Sequence, residues 1–381
     1  MEQKALPEVC HIQYGYPFDS KRFSDKEGFP LIRIRDVVRG HTETFTTESC
    51  NDEYIVKKGD ILIGMDGMFN VAKWKGNTAY LNQRVCKIEP NSSIVADYLF
   101  YYLPCALKKI ENKTAFVTVK HLKAKQLNSI LIPCPPVKEQ KRIAQILDLL
   151  FYLICQKKKQ LNYLDELVKS RFIEMFGNVG EIDKHKVHDA FVTKLGDVAN
   201  VKSSHRVFTS EFVESGIPFY RGTEIGELSN GQIPKHPFYI TREHYEKLAN
   251  DDSRPKIGDL LLPSICNNGQ IWLVDTNKPF YYKDGRVLCI SPYPDVFNSI
   301  YLLYYLKYRL TYEYPKLGSG STFAEFKIFQ LKNMDVLVPN IMKQNLFANF
   351  IHQVDKSKLA VQKSLDELEI LKKSLMQTYF G

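Results

Sequence analysis

The sequence predicts an α+β protein built from two copies of one unit, each a strand-rich domain followed by a long helix. The two halves of the 381-residue chain repeat the same motifs in the same order. Short apolar runs of strand length recur in both halves. Two stretches without proline or glycine also carry apolar residues at an average spacing of 3.5. We therefore predict domains at 1–136 and 178–340, with long helices at 137–177 and 341–381.

The repeat is collinear, with an offset of roughly 200 residues throughout. The matching pairs are LPEVCHI (6–12) with LGDVANV (195–201), FPLIRIRDV (29–37) with IPFYRGTEI (217–225), KKGDILI (57–63) with KIGDLLL (256–262), AYLNQRVCKI (79–88) with FYYKDGRVLCI (280–290), DYLFYYL (97–103) with IYLLYYL (300–306), LNSILIP (127–133) with KNMDVLVP (332–339), LDEL (164–167) with LDEL (365–368), and MFG (175–177) with YFG (379–381). Each match is weak alone, but a shared order over the whole chain indicates a duplication.

Each domain is predicted to be mixed and irregular. Strands are expected in the short apolar runs, at 31–38, 60–65, 79–88 and 128–132 in the first copy and at 217–221, 258–263, 280–290 and 334–338 in the second. Helices are expected at 96–110 and 298–310, where apolar residues cover more than one face. Pro104 should kink or break the first of these helices.

The first long helix has clear boundaries. Pro136 suits the first helical position because its φ is already fixed. Glu139 lies in the first turn, where the helix macrodipole favours a negative charge. No proline or glycine follows until Gly177, and both long helices end in the dipeptide FG.

An apolar seam follows each long helix in alternating steps of three and four residues. Its positions are Leu147, Leu150, Ile154, Lys157, Leu161, Leu164, Val168, Arg171 and Met175 in the first helix, and Phe347, Ile351, Val354, Lys358, Val361, Leu365, Leu368, Lys372, Leu375 and Tyr379 in the second. The sequence predicts an antiparallel coiled coil, roughly 57 Å long at 1.5 Å per residue, with internal pseudo-two-fold symmetry. The charged exceptions are interpreted as stems that snorkel from the seam edge; a functional polar layer is the alternative.

Composition excludes several classes of protein. No apolar run has the length of a membrane span, and no signal peptide is expected. The eight cysteines form no CxxC pair, so we expect reduced thiols in a cytoplasmic protein and no zinc site. The net charge of +9 permits nucleic-acid binding without proving it.

Catalytic motifs are missing from the sequence. The stretch GSGST (318–322) lacks the lysine of a phosphate-binding loop, and no HExxH, GxSxG or Asn-Pro-Pro-aromatic motif occurs. His185 and His188 are interpreted as solvated loop residues. Asp60 and Asp259 precede equivalent strands, where capping a turn is favoured over binding a nuclease metal.

The predicted loops instead carry basic, amide and hydroxyl side chains, which can bind phosphates or base edges. The candidates for DNA contact are Arg33, Arg35, Lys73, Trp74, Lys75, Lys120 and His121 in the first domain, and Arg221, Asn267, Asn268, Gln270, Ser321 and Lys327 in the second. Equivalent loops differ in chemistry, as two readers of different short sequences require. For any one of these residues, an ordinary solvated role stays open.

The layout resembles the specificity subunit of Type I restriction–modification systems. The most specific stretch is IPCPPVKEQKRIAQILD (132–148), supported by the repeated GD-aliphatic strand and the helix ends LDEL…FG. The second copy departs from the first at Pro339–Asn340, where the first has Pro135–Pro136, and at Lys343, where the first has Glu139. This departure concerns how a partner contacts each helix.

The resemblance implies a protein without catalytic activity. Each domain would be a target recognition domain that reads one half of a bipartite sequence in the major groove of double-stranded DNA. The paired helices would set the gap between the halves. Partners would be two adenine methyltransferase subunits and motor-nuclease subunits, which would bind S-adenosylmethionine, ATP and Mg²⁺; this chain would bind none of these. The alternatives are a single-chain nuclease or methyltransferase and a coiled-coil scaffold that binds only proteins.

Overall fold

A computed structural model describes residues 2–113, 120–180, 189–266, 269–317 and 324–381. The chain divides into two compact units. Unit 1 comprises Met1–Lys159 and Gln362–Gly381, and unit 2 comprises Gln160–Val361. Each unit therefore contains one domain, part of the first long helix and part of the second.

Unit 1 is rich in short strands. Its strands are β1 (Gln3–Ala5), β2 (Cys10–Tyr14), β3 (Phe23–Ser24), β4 (Phe29–Ile32), β5 (Phe45–Thr46), β6 (Ile55–Val56), β7 (Ile61–Gly64), β8 (Val71–Lys73), β9 (Ala79–Leu81), β10 (Val85–Pro90) and β11 (Leu131–Pro133). Its helices are α1 (Leu6–Val9), α2 (Ile34–Arg39), α3 (Ala96–Lys113), α4 (Ala124–Asn128) and the start of α5 (Val137–Phe176).

Among the described residues, unit 2 repeats this order with one additional helix, α8 (Arg242–Leu248), and without counterparts of β3 and β6. Its strands are β12 (Ala190–Lys194), β13 (Ala199–Lys202), β14 (Ile217–Tyr220), β15 (Phe238–Ile240), β16 (Leu260–Pro263), β17 (Trp272–Leu273), β18 (Tyr281–Tyr282), β19 (Val287–Pro292) and β20 (Asp335–Pro339). Its helices are α6 (Leu195–Val198), α7 (Gly222–Ser229), α8 (Arg242–Leu248), α9 (Ser299–Glu313), α10 (Ile328–Lys332) and the start of α11 (Ile341–Phe380).

The two units share their sheet topology, as the duplication predicts. A four-stranded antiparallel sheet has the order β2-β10-β7-β8 in unit 1 and β13-β19-β16-β17 in unit 2. A second sheet contains a parallel pair, β4 with β9 and β14 with β18. A two-stranded sheet, β1-β11 or β12-β20, joins the first strand of each domain to the last.

The main core of each unit lies between the four-stranded sheet, the long helices and one tyrosine-rich helix, which is α3 in unit 1 and α9 in unit 2. In unit 1, Tyr98 and Tyr102 of α3 pack edge-on against Phe380, with ring centroids 5.4 and 5.6 Å apart. In unit 2, Phe176 of α5 packs edge-on against Tyr301 of α9, with ring centroids 4.7 Å apart. These aromatic contacts bury large apolar areas and bind each domain to its helices.

The long helices pair antiparallel within each unit. In unit 1, Lys158 contacts Glu369 at 3.0 Å, while residues nearer the start of α5 share a core with Phe380. In unit 2, Asp165 pairs with Lys358, while Phe172, further along α5, meets Phe347. Every predicted seam position is buried or half-buried, which confirms the 3.5-residue pattern.

The charged seam residues have half-buried stems. The Lys372 ammonium lies 4.9 Å from the Phe151 ring centroid and 3.1 Å from Glu369, and Arg171 pairs with Glu174 at 2.8 Å. This arrangement matches snorkelling from the seam edge. Gly177 ends α5 with φ +78°, as the terminal FG predicts.

Several predictions about local structure are wrong. The strand predicted at 31–38 ends at Ile32, because the Asp36 side chain caps helix α2 from within its first turn. The strand at 79–88 is two strands separated by a turn in which Arg84 has φ +71°. The segment 128–132 begins as the end of α4. Helix α3 continues through Pro104, whose ring faces solvent.

Candidate nucleic-acid interface

One arginine in each unit directly follows the first strand of the parallel pair, β4 or β14, and the two arginines occupy equivalent positions of the repeat. Arg33 precedes α2 and Arg221 precedes α7. The backbone N–H of Arg33 donates to Oδ2 of Asp36 at 2.9 Å, and that of Arg221 donates to Oε2 of Glu224 at 2.8 Å. Both carboxylates are buried. The strand, the cap and the acidic side chain thus fix the backbone of each arginine in the same way.

The guanidinium groups differ between the units. Nε and Nη2 of Arg221 donate to the two carboxylate oxygens of Glu224 at 3.1 and 2.6 Å, and the group lies 4.4 Å from the Phe238 ring centroid. Arg33 lies 5.9 Å from Phe23. Asp36, one methylene shorter than Glu224, has its ion pair with Arg35 instead, at 3.7 Å.

The ion pair in unit 2 changes the protonation equilibria of both partners. Burial raises the pKa of the Glu224 carboxyl, but hydrogen bonds from the Arg221 side chain and backbone outweigh burial and hold that pKa below its usual range. The same side-chain bond raises the pKa of Arg221. The pair is therefore ionised near neutral pH and carries no net charge.

A second pair of equivalent arginines, Arg84 and Arg286, was missed by sequence reasoning. Their backbone carbonyls accept from the N–H groups of Met65 and Ser264 at 2.9 Å, in the same place in each unit. Both begin the repeated RV dipeptide of AYLNQRVCKI and FYYKDGRVLCI. That shared basic residue was the signal that could have identified them.

The carboxylate that binds each of these arginines comes from a different loop. In unit 1, Asp66 contacts Nε of Arg84 at 3.7 Å and Nδ1 of His121 at 2.7 Å. In unit 2, Glu325 pairs with Arg286 and lies 3.5 Å from Lys327. Similar folds thus carry different charge arrangements at the same position.

A cleft of about 470 Å³ in unit 2 brings several of these groups together. Its lining includes Arg221, Gln270, Lys283 and Arg286. Lys283 and Arg286 are exposed, whereas Arg221 and Gln270 are half-buried. The cleft offers a guanidinium held by Glu224 inside and exposed cations at its rim, a combination suited to a nucleic acid.

The other candidates of unit 1 have varied environments. Arg35 is exposed and donates to Thr44 at 3.2 Å, and Lys75 is also exposed. Lys73 pairs with Asp97 and lies over Phe100. The ammonium of Lys120 donates to the Glu111 carbonyl at 2.7 Å. Among the described residues, His121 is the one member of this set that shares a carboxylate with an arginine, because Asp66 contacts both His121 and Arg84.

Trp74 corrects an expectation. Its side chain is 1% exposed and belongs to the core beneath the second sheet, and Nε1 donates to the Asn77 carbonyl at 2.7 Å. A ring enclosed in this way cannot stack on a base without unfolding its surroundings. The neighbouring lysines misled the sequence reasoning, because Trp74 follows the end of β8 and is buried in this core, whereas Lys75 is exposed.

Some candidates lie outside the described residues. These are Asn267, Asn268 and Ser321, together with His185 and His188. Asp60 and Asp259 accept from the backbone N–H groups of Lys57 and Lys256, so both cap their turns as expected. Within the ranges that the structure describes, no group of three or more His, Cys, Asp or Glu side chains is placed to hold a metal ion. No helix in those ranges combines the length and apolar character needed to cross a bilayer.

The duplicated domains, the divergent basic loops and the paired long helices together define a DNA-specificity protein. The family model described as Type I restriction modification DNA specificity domain matches residues 1–164 and 189–369, so the chain belongs to this family and contains its domain twice. It is a Type I restriction–modification specificity subunit, a non-catalytic DNA-recognition subunit.

Individual relatives match this chain along most of their own length. The Type I restriction enzyme EcoBI specificity subunit of Escherichia coli is 28% identical over 99% of this chain and 84% of its own length. The MjaVIII specificity subunit of Methanocaldococcus jannaschii is 26% identical over 91% of this chain and 87% of its own. The crystal structure of a Type I system S subunit from M. genitalium has a TM-score of 0.57 at 14% identity, covering 100% of this chain and 96% of that one, and shares the fold.

Proposed function

We propose that each domain reads one half of a bipartite DNA sequence in the major groove, and that the paired helices set the number of unread base pairs between the halves. The observation that carries this proposal is the placement of Arg33 and Arg221. The same backbone framework holds both arginines, but their guanidinium groups have different partners. Two copies of one scaffold with different side-chain chemistry at the same point suit two different half-sites.

The helix lengths support the spacing role. Helices α5 and α11 each contain 40 residues, which corresponds to roughly 60 Å per helix at 1.5 Å per residue. Successive major-groove faces lie about 34 Å apart along B-DNA. A helix pair of this length is long enough to span one or more helical turns of DNA.

Exposed apolar residues on the long helices support a partner-binding role. In unit 1, Leu149, Tyr152 and Leu153 lie on one side of α5, and Ile370 and Leu371 are exposed on α11. Exposed apolar groups of this kind mark protein interaction surfaces. We assign this surface to the methyltransferase subunits, two per complex, with motor-nuclease subunits joining the assembly for restriction. S-adenosylmethionine, ATP and Mg²⁺ bind to those partners in this proposal.

Mapping of methylated adenines tests the proposal. The chain is assembled with its methyltransferase subunits, and the modified DNA is sequenced for N6-methyladenine. We expect one bipartite motif with a fixed gap. Replacing residues 1–136 with the first domain of another family member should change one half of the motif and leave the gap and the other half intact. A continuous motif, or a change in both halves, would contradict the proposal.

A further inference from the structure

Arg221 has a geometry that differs from that of an ordinary surface arginine. Its Nε and Nη2 atoms are engaged side-on by Glu224, and its plane lies against Phe238. Phe238 is itself stacked on Phe212, with centroids 4.6 Å apart and planes at 11°. Because two neighbours fix the guanidinium, its position is set before any ligand arrives, which reduces the conformational entropy lost on binding.

The remaining edge of this guanidinium points to a specific ligand chemistry. Within the described part of unit 2, no hydrogen-bond partner is recorded for Nη1, and Nη2 still has a second hydrogen. These two atoms can donate in parallel to two acceptors that lie side by side. In DNA, such acceptors are O6 and N7 of guanine, or two oxygens of one phosphate.

The net charge of the Arg221–Glu224 pair favours a guanine edge over a phosphate as the ligand. The Glu224 carboxylate neutralises Arg221 and lies directly behind it, so a phosphate at the free edge would gain little net attraction. A guanine edge is uncharged and is recognised by the direction of the donors. The exposed ammonium of Lys283 at the rim of the same cleft is better placed for a phosphate.

We infer that Arg221 reads a guanine through its free edge in the second half of the target, with Glu224 and Phe238 as positioning residues. The inference rests on the proposed function, since it assigns a base to one of the two readers. It also predicts an asymmetry between the units, because Arg33 has no such side-on partner: Asp36 is too short to hold both its backbone N–H and its guanidinium.

Asp36 of unit 1 suggests a variant of Glu224 that separates its capping of α7 from its contact with the Arg221 guanidinium. Asp36 shows that an aspartate at this position still caps the helix. Glu224→Asp should therefore keep the cap of α7 and release the guanidinium. Arg221→Lys removes the planar donor pair and keeps the charge. Arg206→Lys is the matched control. Arg206 also lies near a carboxylate, Asp284 at 3.5 Å, and near an aromatic ring, Phe208 at 5.9 Å. Unlike Arg221, however, the Arg206 side chain is largely exposed.

The experiment measures methylation of a DNA library randomised in the second half-site, with the chain in complex with its methyltransferase subunits. Arg221→Lys should reduce the preference for guanine at one position by roughly 5- to 150-fold. Glu224→Asp should reduce it at the same position by a smaller factor, and Arg206→Lys should leave the motif unchanged. If Arg221→Lys does not fold, Glu224→Asp alone carries the test.

Several results would overturn the inference. One is a second half-site without guanine, and another is an unchanged preference in both variants. Uniform loss of methylation on all sequences with a shallower salt dependence would indicate a phosphate contact instead. Each of these results leaves a bipartite motif in place, whereas failure of the proposed function removes the bipartite motif already in the unmodified protein.

Discussion

Gln140 holds the start of the first long helix to the backbone of Val95. Its Oε1 atom accepts from the Val95 N–H at 2.8 Å, and its Nε2 donates to the carbonyls of Ser93 and Pro135 at 3.3 and 2.9 Å. Gln344 repeats this arrangement in unit 2 with Asn298, Val296 and Pro339. Both side chains are at most 1% exposed. Each amide therefore joins its domain to its helix.

Replacing Gln140 with leucine should destabilise unit 1 by about 1–3 kcal/mol, because it leaves buried backbone groups without hydrogen-bond partners. Hydrogen exchange at the Val95 amide measures the effect directly, and that amide should exchange faster. Gln344→Leu should have the same effect on Asn298. Gln160→Leu, at an exposed position of α5, is the control. Unchanged protection of Val95 would show that the amide is dispensable.

Trp74 should affect stability and not base recognition. Trp74→Ala leaves a large cavity in a buried core and should lower the free energy of unfolding by about 3–5 kcal/mol. Trp74→Phe keeps most of the volume but leaves the Asn77 carbonyl without its donor, so a smaller loss is expected. Denaturant unfolding gives both values. The methylation motif obtained with Trp74→Phe should be unchanged. A change in the first half of that motif would instead show that Trp74 takes part in base recognition.

The helices should set the gap of the target. Deleting one heptad from the middle of both α5 and α11 keeps the seam in register and shortens each helix by roughly 10 Å, or about three base pairs. Methylome mapping should find a shorter gap or no methylation. Deletion from one helix alone is the control and should abolish activity by misaligning the seams. A full-length gap after the double deletion is incompatible with a spacing role.

Cys155 provides a probe for the methyltransferase contact. It is exposed on α5, three residues after exposed Tyr152. Burial raises the pKa of the Cys10, Cys86 and Cys266 thiols to about 12, so these should alkylate slowly. Iodoacetamide should modify Cys155 first in the isolated chain, and mass spectrometry should show protection after the methyltransferase binds. Equal labelling in both states would place the contact elsewhere.

Unit 2 should lose stability in acid through Asp251. This carboxylate accepts from the Ser253 backbone N–H at 2.8 Å and contacts Nε2 of His205 at 2.8 Å. The Ser253 bond, followed by His205, holds the pKa of Asp251 well below its usual value. A carboxyl group whose pKa is lowered in the folded state stabilises that state at pH values above its unfolded-state pKa of about 3.9. The stabilisation is lost as the pH falls below that value. The stability difference between the protein and Asp251→Asn should therefore shrink below about pH 4.

The sequence predicted the features that depend on regular spacing. The seam from Leu147 to Met175 and the stop at Gly177 follow from helical periodicity and from the conformational freedom of glycine. The repeated motifs predicted that the two domains are copies of one unit, and their shared sheet topology agrees. Helix α2 was missed because its start depends on one side-chain cap, the Asp36 carboxylate, within a run of apolar residues that also suits a strand.

The interface was harder to predict because it depends on long-range contacts. Arg286 and Glu325 are far apart in sequence, and only folding brings them together. Trp74 lies between two lysines in the sequence, yet its side chain is buried in a hydrophobic core. The difference between Arg33 and Arg221 depends on one methylene group in a residue three positions away. Composition and motif order do not contain such geometry.

The burial of Phe380 in unit 1 has a consequence for synthesis on the ribosome. The amino-terminal domain emerges first, but its hydrophobic core includes a side chain that is translated more than 200 residues after Lys159. The ribosome has synthesised every residue of unit 2, through Val361, before it adds Phe380. The usual order, in which the first domain to emerge finishes folding first, should be reversed here. A nascent chain would thus present an unfinished surface until α11 is released from the ribosome.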